Sequence, residues 1–116
     1  MQFKLIVALV SDQETELVLK TARDAGATGS TVISSARGEG LTPAKTFFGL
    51  DLESQRDIVL LLVEGHMSRE ILERIAEVGE FDDTPGSGVA FQIDIEDAIG
   101  LKSQIEKISS EIEEKI

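Results

Sequence analysis

Three features of the sequence predict an α+β sandwich. Continuous apolar runs of strand length occur at 3–10 and 57–64, and each precedes a segment whose apolar residues recur at helical spacing. A further segment that is typical of a strand follows each helical segment, at 31–36 and 88–95. The two halves also align loosely, IVALVSDQETELVLKTARDAGATG with IVLLLVEGHMSREILERIAEVGEF. This order of elements predicts a ferredoxin-like βαββαβ fold, in which two helices cover one face of a four-stranded antiparallel sheet.

The first half opens with the strand FKLIVALV, whose continuous apolar run indicates burial on both faces. Ser11 and Asp12 suit an N-cap, and apolar residues then recur at helical spacing until Gly26 ends the pattern. The recurring residues are Leu17, Val18, Ala22 and Ala25. The segment 31–36, TVISSA, follows as the second strand.

The second half repeats this order. DIVLLLVE at 57–64 is a buried strand, the segment from Ser68 to Val78 is a helix closed by Gly79, and 88–95 is the last core strand. We therefore expect one core domain, 1–100.

The segment 101–116 is predicted to form an additional amphipathic C-terminal helix with one narrow apolar seam. The residues of the seam are Leu101, Ile105, Ile108, Ile112 and Ile116. We expect this helix to pack on its own domain or on a neighbouring subunit, rather than to recruit a partner. The core strands carry few charges on either face, so the sheet face without helices needs an apolar cover. A second copy of the chain fits that need better than water, which predicts a homo-oligomer.

The composition disfavours several classes of protein. The chain has 22 acidic and 11 basic residues, a net charge of −11, and no dense Lys/Arg patch, so its surface repels nucleic acid. It has no cysteine, which removes disulfides, thiolate metal ligands and a cysteine nucleophile. No run approaches the roughly 20 apolar residues that span a bilayer, and no cleavage-site pattern follows FKLIVALV. We expect a cytoplasmic protein without a nucleic-acid partner.

Residues for catalysis are sparse. The single histidine, His66, lies where the third strand meets the second helix, and no Ser/His/Asp relay or metal cluster is recognisable near it. We interpret it as a helix-start or surface histidine. The acid pairs Asp82–Asp83 and Glu96–Asp97 stand where turns and helix starts favour acids. We expect no catalytic residue, no metal site and no enzymatic activity.

Two glycine clusters lie beside strands. Arg37-Gly38-Glu39-Gly40 leaves the second strand, and Thr84-Pro85-Gly86-Ser87-Gly88 precedes the last strand. Either cluster can present consecutive backbone N–H groups to an anion. Neither fits a P-loop or a dinucleotide fingerprint, and a hairpin or a connecting turn uses the same residue types. The residues alone leave both interpretations open.

A wider pattern resembles the nitrogen regulatory PII family over about residues 3 to 102. It combines the turn Ala27 to Val32, the loop Arg37 to Gly40, the G-x-G-x-x-F pattern of Gly86 to Phe91 and the segment IEDAI at 95–99. Members of that family are trimers of ferredoxin-like subunits that bind adenine nucleotides between subunits and contact partner proteins through a long T-loop. The resemblance implies a homotrimer, an adenine nucleotide (ADP, AMP or ATP) or another small anion as ligand, and a partner such as a membrane transporter or a metabolic enzyme.

The resemblance also assigns roles to particular positions. Thr31 would contact the adenine, Gly38 and Gly40 would line the cleft at the root of the T-loop, and Gly86-Ser87-Gly88 would be the B-loop that faces the phosphates. Lys102 falls where the family has the second of two C-terminal arginines from the neighbouring subunit.

Several cations of the family pattern are missing. Gly100 replaces the first C-terminal arginine, Val89 replaces the lysine of the B-loop, and Leu41 replaces an arginine at the loop root. Ser87 also replaces an aspartate of the B-loop, and Arg37 can substitute for one lost cation. Losing cations penalises a triphosphate most, so ADP, AMP or no nucleotide becomes credible beside ATP.

The segment 41–54 takes the place of the T-loop in a shortened form. The chain has no tyrosine, which excludes tyrosine uridylylation, and the family's Q-x-x-x-E pattern is not evident. The candidate partner-binding residues of this segment are Thr42, Pro43, Lys45, Phe47 and Phe48. The two phenylalanines either contact a partner or fold back into the subunit interface.

The leading hypothesis is a non-enzymatic PII-like regulatory protein: a trimer that senses a nucleotide or small anion and signals through the 41–54 segment. The alternative is a structural or interaction module that keeps the trimeric fold without a ligand. Slow nucleotide hydrolysis is a third hypothesis, for which the sequence supplies no base.

Overall fold

A computed structural model describes residues 2–36, 46–47, 50–51, 56–102 and 105–106 of the chain. Its elements in chain order are β1 (Phe3–Ser11), α1 (Thr15–Asp24), β2 (Thr31–Ala36), β3 (Thr46–Phe47), β4 (Leu50–Asp51), β5 (Arg56–Glu64), α2 (Gly65–Val78) and β6 (Gly88–Asp94). Four strands form one antiparallel sheet in the order β2-β5-β1-β6. The predicted four-stranded sheet with two helices is confirmed.

The core lies between the sheet and the two helices. Alternate residues of the two central strands are buried there, because side chains of a strand point to opposite faces in turn. We call this side of the sheet the helix face. Its buried residues are Ile6, Ala8, Val10, Val59, Leu61 and Val63, packed against Val18 and Ala22 of α1 and Ile71 and Ile75 of α2.

The opposite side of the sheet, the open face, is apolar but uncovered in the single chain. The paired registers align its side chains in rows across the strands, such as Ile33, Ile58, Leu9 and Val89. Ile33, Phe91 and Ile93 are 48%, 41% and 48% exposed. The strands are therefore buried on one face only within a single chain, and the predicted second cover is not supplied by the described part of the chain itself.

Both helix starts differ from the sequence prediction. β1 runs on to Ser11, whose carbonyl accepts the Glu14 N–H at 2.9 Å in a turn, so α1 begins at Thr15 rather than directly after Ser11 and Asp12. α2 begins at Gly65, three residues before Ser68, because the Glu64 carboxylate accepts the His66 N–H at 2.8 Å and caps the helix. The helix ends at Asp24 and Val78 agree with the predicted stops near Gly26 and Gly79.

The remaining differences are smaller. β3 and β4 form a two-stranded antiparallel pair inside the 41–54 segment, which the sequence analysis did not predict. β6 ends at Asp94, one residue before the predicted end. Of the predicted C-terminal helix, the structure describes only Leu101, Lys102, Ile105 and Glu106, where the Ile105 N–H donates to the Leu101 carbonyl at 2.9 Å. Within the described ranges, no helix is long and apolar enough to cross a membrane.

Candidate functional site

Several chain segments meet at one end of the sheet. β1 ends there at Ser11, which pairs with Arg56 at the start of β5, and Val10 pairs with Gly88 at the start of β6. Ala36, the last residue of β2, pairs with Arg56 from the other side. The 37–55 segment therefore leaves the sheet after Ala36 and returns to it at Arg56, the residue that pairs with Ala36. This is the same end of the sheet as the loop that precedes β6.

The glycine loop, Thr84–Gly88, is tied to the end of α2. After α2, Glu80 adopts φ +54°, and the Glu80 and Phe81 N–H groups donate to the carbonyls of Glu77 and Ala76 at 3.1 and 3.0 Å. The Glu80 carbonyl then accepts two further hydrogen bonds, from the Thr84 N–H at 2.9 Å and from the Ser87 hydroxyl at 2.8 Å. One carbonyl thus fixes both ends of the turn.

Phe81 fills the space between the two ends of this connection. A Cβ placed on Gly79 would collide with the Phe81 ring, and one on Gly88 would lie 2.5 Å from its Cε1. The backbone at both positions can approach the ring only because glycine has no side chain. Gly79 has an ordinary φ of −84°, which any residue can adopt. A glycine is required there because the Phe81 ring leaves no room for a Cβ.

Arg56 holds the glycine loop from the sheet side. Its Nη2 donates to the Gly86 carbonyl at 2.9 Å, while its buried Nε has no hydrogen-bond partner among the residues that the structure describes. Gly86 itself has φ +78°, a conformation that favours glycine. The sequence analysis missed Arg56, although one signal was available: it is the only lysine or arginine between Lys45 and Arg69 and stands at the head of an apolar strand.

The predicted B-loop residues lie at this end of the sheet. Ser87 uses its N–H on the Thr84 carbonyl at 3.1 Å and its hydroxyl on the Glu80 carbonyl, so both donors brace the loop. Both donors of Ser87 are therefore engaged inside the loop, and the Arg56 guanidinium reaches the loop through its Nη2.

Two other predicted site residues that the structure describes, Thr31 and Lys102, lie away from the glycine loop within one chain. Thr31 begins β2 at the opposite edge of the sheet, about 14 Å across three strand spacings from β6, and in the row of Phe91 rather than that of Gly88. Lys102 follows the far end of the seven-residue β6, about 23 Å from its start. The predicted residues Arg37, Gly38, Gly40, Thr42, Pro43, Lys45 and Phe48 lie outside the described residues, and Phe47 is the second residue of β3.

A small cavity of about 210 Å³ opens beside the start of β2. Its lining comes from α1, the connection to β2 and β5, and includes Arg23, Thr28, Gly29, Ser30 and Leu61. Thr31 follows this lining in the chain but is not part of it, and its own side chain is exposed. The cavity is smaller than the roughly 300 to 1,000 Å³ of typical ligand pockets, so it suits one ring of a larger molecule.

Lys102 lies in a separate groove of about 980 Å³ at the far end of the sheet. Carboxylates outnumber the cation there, since Asp94, Glu96, Asp97 and Glu106 share the lining with Lys102. These surroundings repel phosphate within a single chain. Lys102 can serve the glycine loop only if it comes from another copy of the chain.

His66 is the second residue of α2, and its Nδ1 contacts the carboxylate of Glu64, the residue that caps the helix. Its position agrees with the interpretation as a helix-start histidine. No group of three or more His, Cys, Asp or Glu residues suited to a metal ion occurs in the part of the chain that the structure describes.

Comparison with solved structures shows a shared fold. CPII from Thiomonas intermedia K12, bound to ADP, AMP and acetate, is 19% identical over 84% of this chain and 90% of that chain, with a TM-score of 0.65. The same protein bound to ADP, AMP and bicarbonate is 19% identical over 82% and 87% of the two chains, with a TM-score of 0.60. A protein of Thermus thermophilus, described as a putative PII-like signaling protein, is 22% identical over 82% and 88%, with a TM-score of 0.61.

A comparison with curated protein sequences gives no match. The sequence profile of the family described as Nitrogen regulatory protein P-II, in contrast, matches residues 3–105. That range contains both βαβ halves, the glycine loop and Arg56. The chain belongs to the nitrogen regulatory protein P-II family.

Proposed function

We propose that this protein is a non-enzymatic PII-like signalling protein, a homotrimer that senses an adenine nucleotide in clefts between its subunits. Membership of the P-II family supports a regulatory role. Two of the structures with the same fold contain ADP and AMP, together with acetate or bicarbonate. These ligands match the preference for a di- or monophosphate that the missing cations of this chain indicate.

The contact of Arg56 with the glycine loop carries this proposal. A buried Nε without a partner is unfavourable, because a desolvated donor loses its hydrogen bond to water. An anionic oxygen at the glycine loop would lie beside this guanidinium, which forms strong charge-assisted bonds with phosphate or carboxylate. Arg56 thereby replaces one of the cations that the chain lacks at Leu41, Val89 and Gly100.

The positions of the site residues favour a cleft shared by two copies. The small cavity and Thr31 lie at the β2 edge of the sheet, and the glycine loop lies at the β6 edge. If the adenine of one nucleotide lies in the cavity of one copy and its phosphates lie at the glycine loop of the next copy, the copies are arranged head to tail. Such an arrangement can close as a ring. Three copies in such a ring would also cover the apolar open face, and Lys102 of another copy could reach the phosphates.

Signalling would proceed through the 41–54 segment. The 37–55 connection that contains it joins the sheet at the Ala36–Arg56 pair, and the same Arg56 contacts the glycine loop. A ligand that draws the guanidinium away from the Gly86 carbonyl would therefore act on both ends of the segment at once. We propose Thr42, Pro43, Lys45, Phe47 and Phe48 as its contacts with a protein partner, such as a transporter or a metabolic enzyme.

Two further assignments belong to the same proposal. In this proposal the 101–116 segment is a C-terminal helix beside the 1–100 domain or on a neighbouring subunit, and the bond from the Ile105 N–H to the Leu101 carbonyl has the i,i+4 spacing of a helix. A nucleotide sensor of this kind works in the cytoplasm, where adenine nucleotides are available.

Isothermal titration with ADP, AMP and ATP tests this function. We expect ADP and AMP to bind more tightly than ATP, and Arg56→Gln to weaken ADP binding about tenfold or more, since a hydrogen bond to a charged group is lost. Arg69→Gln is the matched control, because it removes the same charge from an exposed i,i+4 pair with Glu73 on α2. Equal affinities of the wild type and Arg56→Gln would contradict the assigned site.

The alternative function, a trimeric module without a ligand, predicts a different result. The wild-type protein would then give neither heat nor a thermal shift with any of the three nucleotides, while remaining a trimer in sedimentation. The Nε of Arg56, which has no partner in the part of the chain that the structure describes, favours the sensor over this alternative.

A further inference from the structure

The ring of Phe81 determines where the glycine loop lies. It packs against the backbone of Gly79 at the end of α2 and of Gly88 at the start of β6, and it borders the hydrophobic core. The backbone N–H of Phe81 donates to the Ala76 carbonyl. The ring thus sets the separation between the end of α2 and the start of β6. The glycine loop belongs to the connection between these two points.

The hydrogen bonds inside the loop depend on the same residue. Glu80, next to Phe81, supplies the carbonyl that accepts from the Thr84 N–H and the Ser87 hydroxyl. A shift of Phe81 would move this carbonyl and release both bonds. On its other side the loop has one tether in the described part of the chain, the bond from Arg56 to the Gly86 carbonyl.

We propose that Phe81 is a positioning residue for ligand binding: its ring holds the glycine loop in the shape that receives the anion, without belonging to the anion site. This inference rests on the proposed nucleotide-sensing function. A loop already held in its bound shape loses little conformational entropy when a ligand arrives, so affinity falls when the loop is loosened. The residue acts through the backbone of Gly88 and the carbonyl of Glu80.

The test compares three variants by ADP titration and by amide hydrogen exchange of 84–88 in the unliganded protein. Phe81→Ala should weaken ADP binding about tenfold and speed exchange in the loop, because it removes the ring between the two glycines. Phe81→Met should stay within about threefold of the wild type, since an unbranched apolar side chain fills irregular space. Leu72→Ala, which shortens an apolar side chain that packs against the core from α2, should lower the melting temperature and leave ADP affinity unchanged.

Gly88→Ala provides a second route if Phe81→Ala does not fold, because the added methyl displaces the ring from the opposite side while every apolar side chain remains. It should also weaken ADP binding and speed exchange in the loop. Unchanged ADP affinity in the Phe81→Ala or Gly88→Ala protein, or equal losses in Phe81→Ala and Leu72→Ala, would overturn the role of Phe81 alone. A wild-type protein that binds none of the nucleotides would overturn the proposed function, and the role of Phe81 with it.

Discussion

The two helix-to-strand connections of this protein share a backbone pattern but use glycine for different reasons. After α1, the Gly26 and Ala27 N–H groups donate to the carbonyls of Arg23 and Ala22 at 3.1 and 2.9 Å. After α2, the N–H groups of Glu80 and Phe81 make the equivalent bonds. The left-handed position is Gly26 with φ +115° in the first case and Glu80 with φ +54° in the second.

The difference between the connections follows from what each one holds. The first runs directly into β2 and lines the small cavity. The second is longer and carries the glycine loop, and its glycines at 79 and 88 make room for Phe81. A glycine beside a helix end can therefore serve backbone conformation or close packing, and only the structure distinguishes the two.

The largest effect is expected from alanine at the two helix-end glycines. Gly26→Ala should destabilise the protein by about 2 to 3 kcal/mol, because alanine is strained at a φ of +115° and its Cβ meets Met67. Gly79→Ala should cost about 1 to 3 kcal/mol through the collision with the Phe81 ring. Urea denaturation measures both losses.

Double variants separate the two causes. In a Phe81→Ala background the added cost of Gly79→Ala should fall close to zero, because the colliding ring is gone. In a Met67→Ala background Gly26→Ala should keep most of its cost, since backbone strain remains. The reverse pattern, relief at Gly26 and none at Gly79, would contradict this comparison.

A second difference lies on the strands that follow the two helices. Val32 of β2 pairs with Val59 on the helix face, whereas Gln92 of β6 pairs with Ile6 there. Within the described ranges, the buried Oε1 of Gln92 has no hydrogen-bond partner. Gln92→Met should therefore stabilise the protein by about 1 kcal/mol in urea denaturation, by removing an unpaired acceptor at similar volume. Gln92→Glu, which buries a charge at the same place, should destabilise it; stabilisation by Glu would mean that this site is solvated.

The smallest effect concerns Glu80, the counterpart of Gly26. Glu80→Gly should stabilise the protein by about 0.5 to 1 kcal/mol, because glycine adopts the left-handed conformation without the clash of a Cβ. Glu77→Gly serves as the control within α2 and should destabilise by about 1 kcal/mol, since glycine weakens a helix interior. Thermal denaturation compares the two, and a loss of stability in both would show that the Glu80 side chain outweighs its backbone strain.

The sheet and both helices could be predicted from the sequence because period-2 and period-3.6 apolar patterns depend on local spacing. Helix starts could not, since the Glu64 cap and the extension of β1 to Ser11 depend on which hydrogen bonds the folded chain makes. The pair β3–β4 is too short for a periodic signal.

The candidate site was predictable only in part. Glycines at 86 and 88 stand out in the sequence, and the structure places them at one end of the sheet. Arg56 and Gly86 are 30 residues apart in the chain, and Phe81 and Gly88 are separated by a loop. No local sequence motif therefore predicts these two contacts. Thr31 and Gly86 lie at opposite edges of the sheet because of the order of the strands. An apolar pattern predicts a strand but does not say which position the strand takes in the sheet.

The most direct test of the central proposal, a nucleotide site shared between two copies, mixes two defective proteins. Gly29→Trp blocks the small cavity, and Arg56→Gln removes the cation at the glycine loop. The two variants are unfolded together in equal amounts, refolded and titrated with ADP. Each cleft takes its cavity from one copy and its glycine loop from the next, and in a random ring each half is intact in about half of the clefts. Both halves are therefore intact in about a quarter of the clefts, so we predict about a quarter of the wild-type number of ADP sites with wild-type affinity. Recovery of no such sites, with each subunit correctly refolded, would contradict a shared cleft.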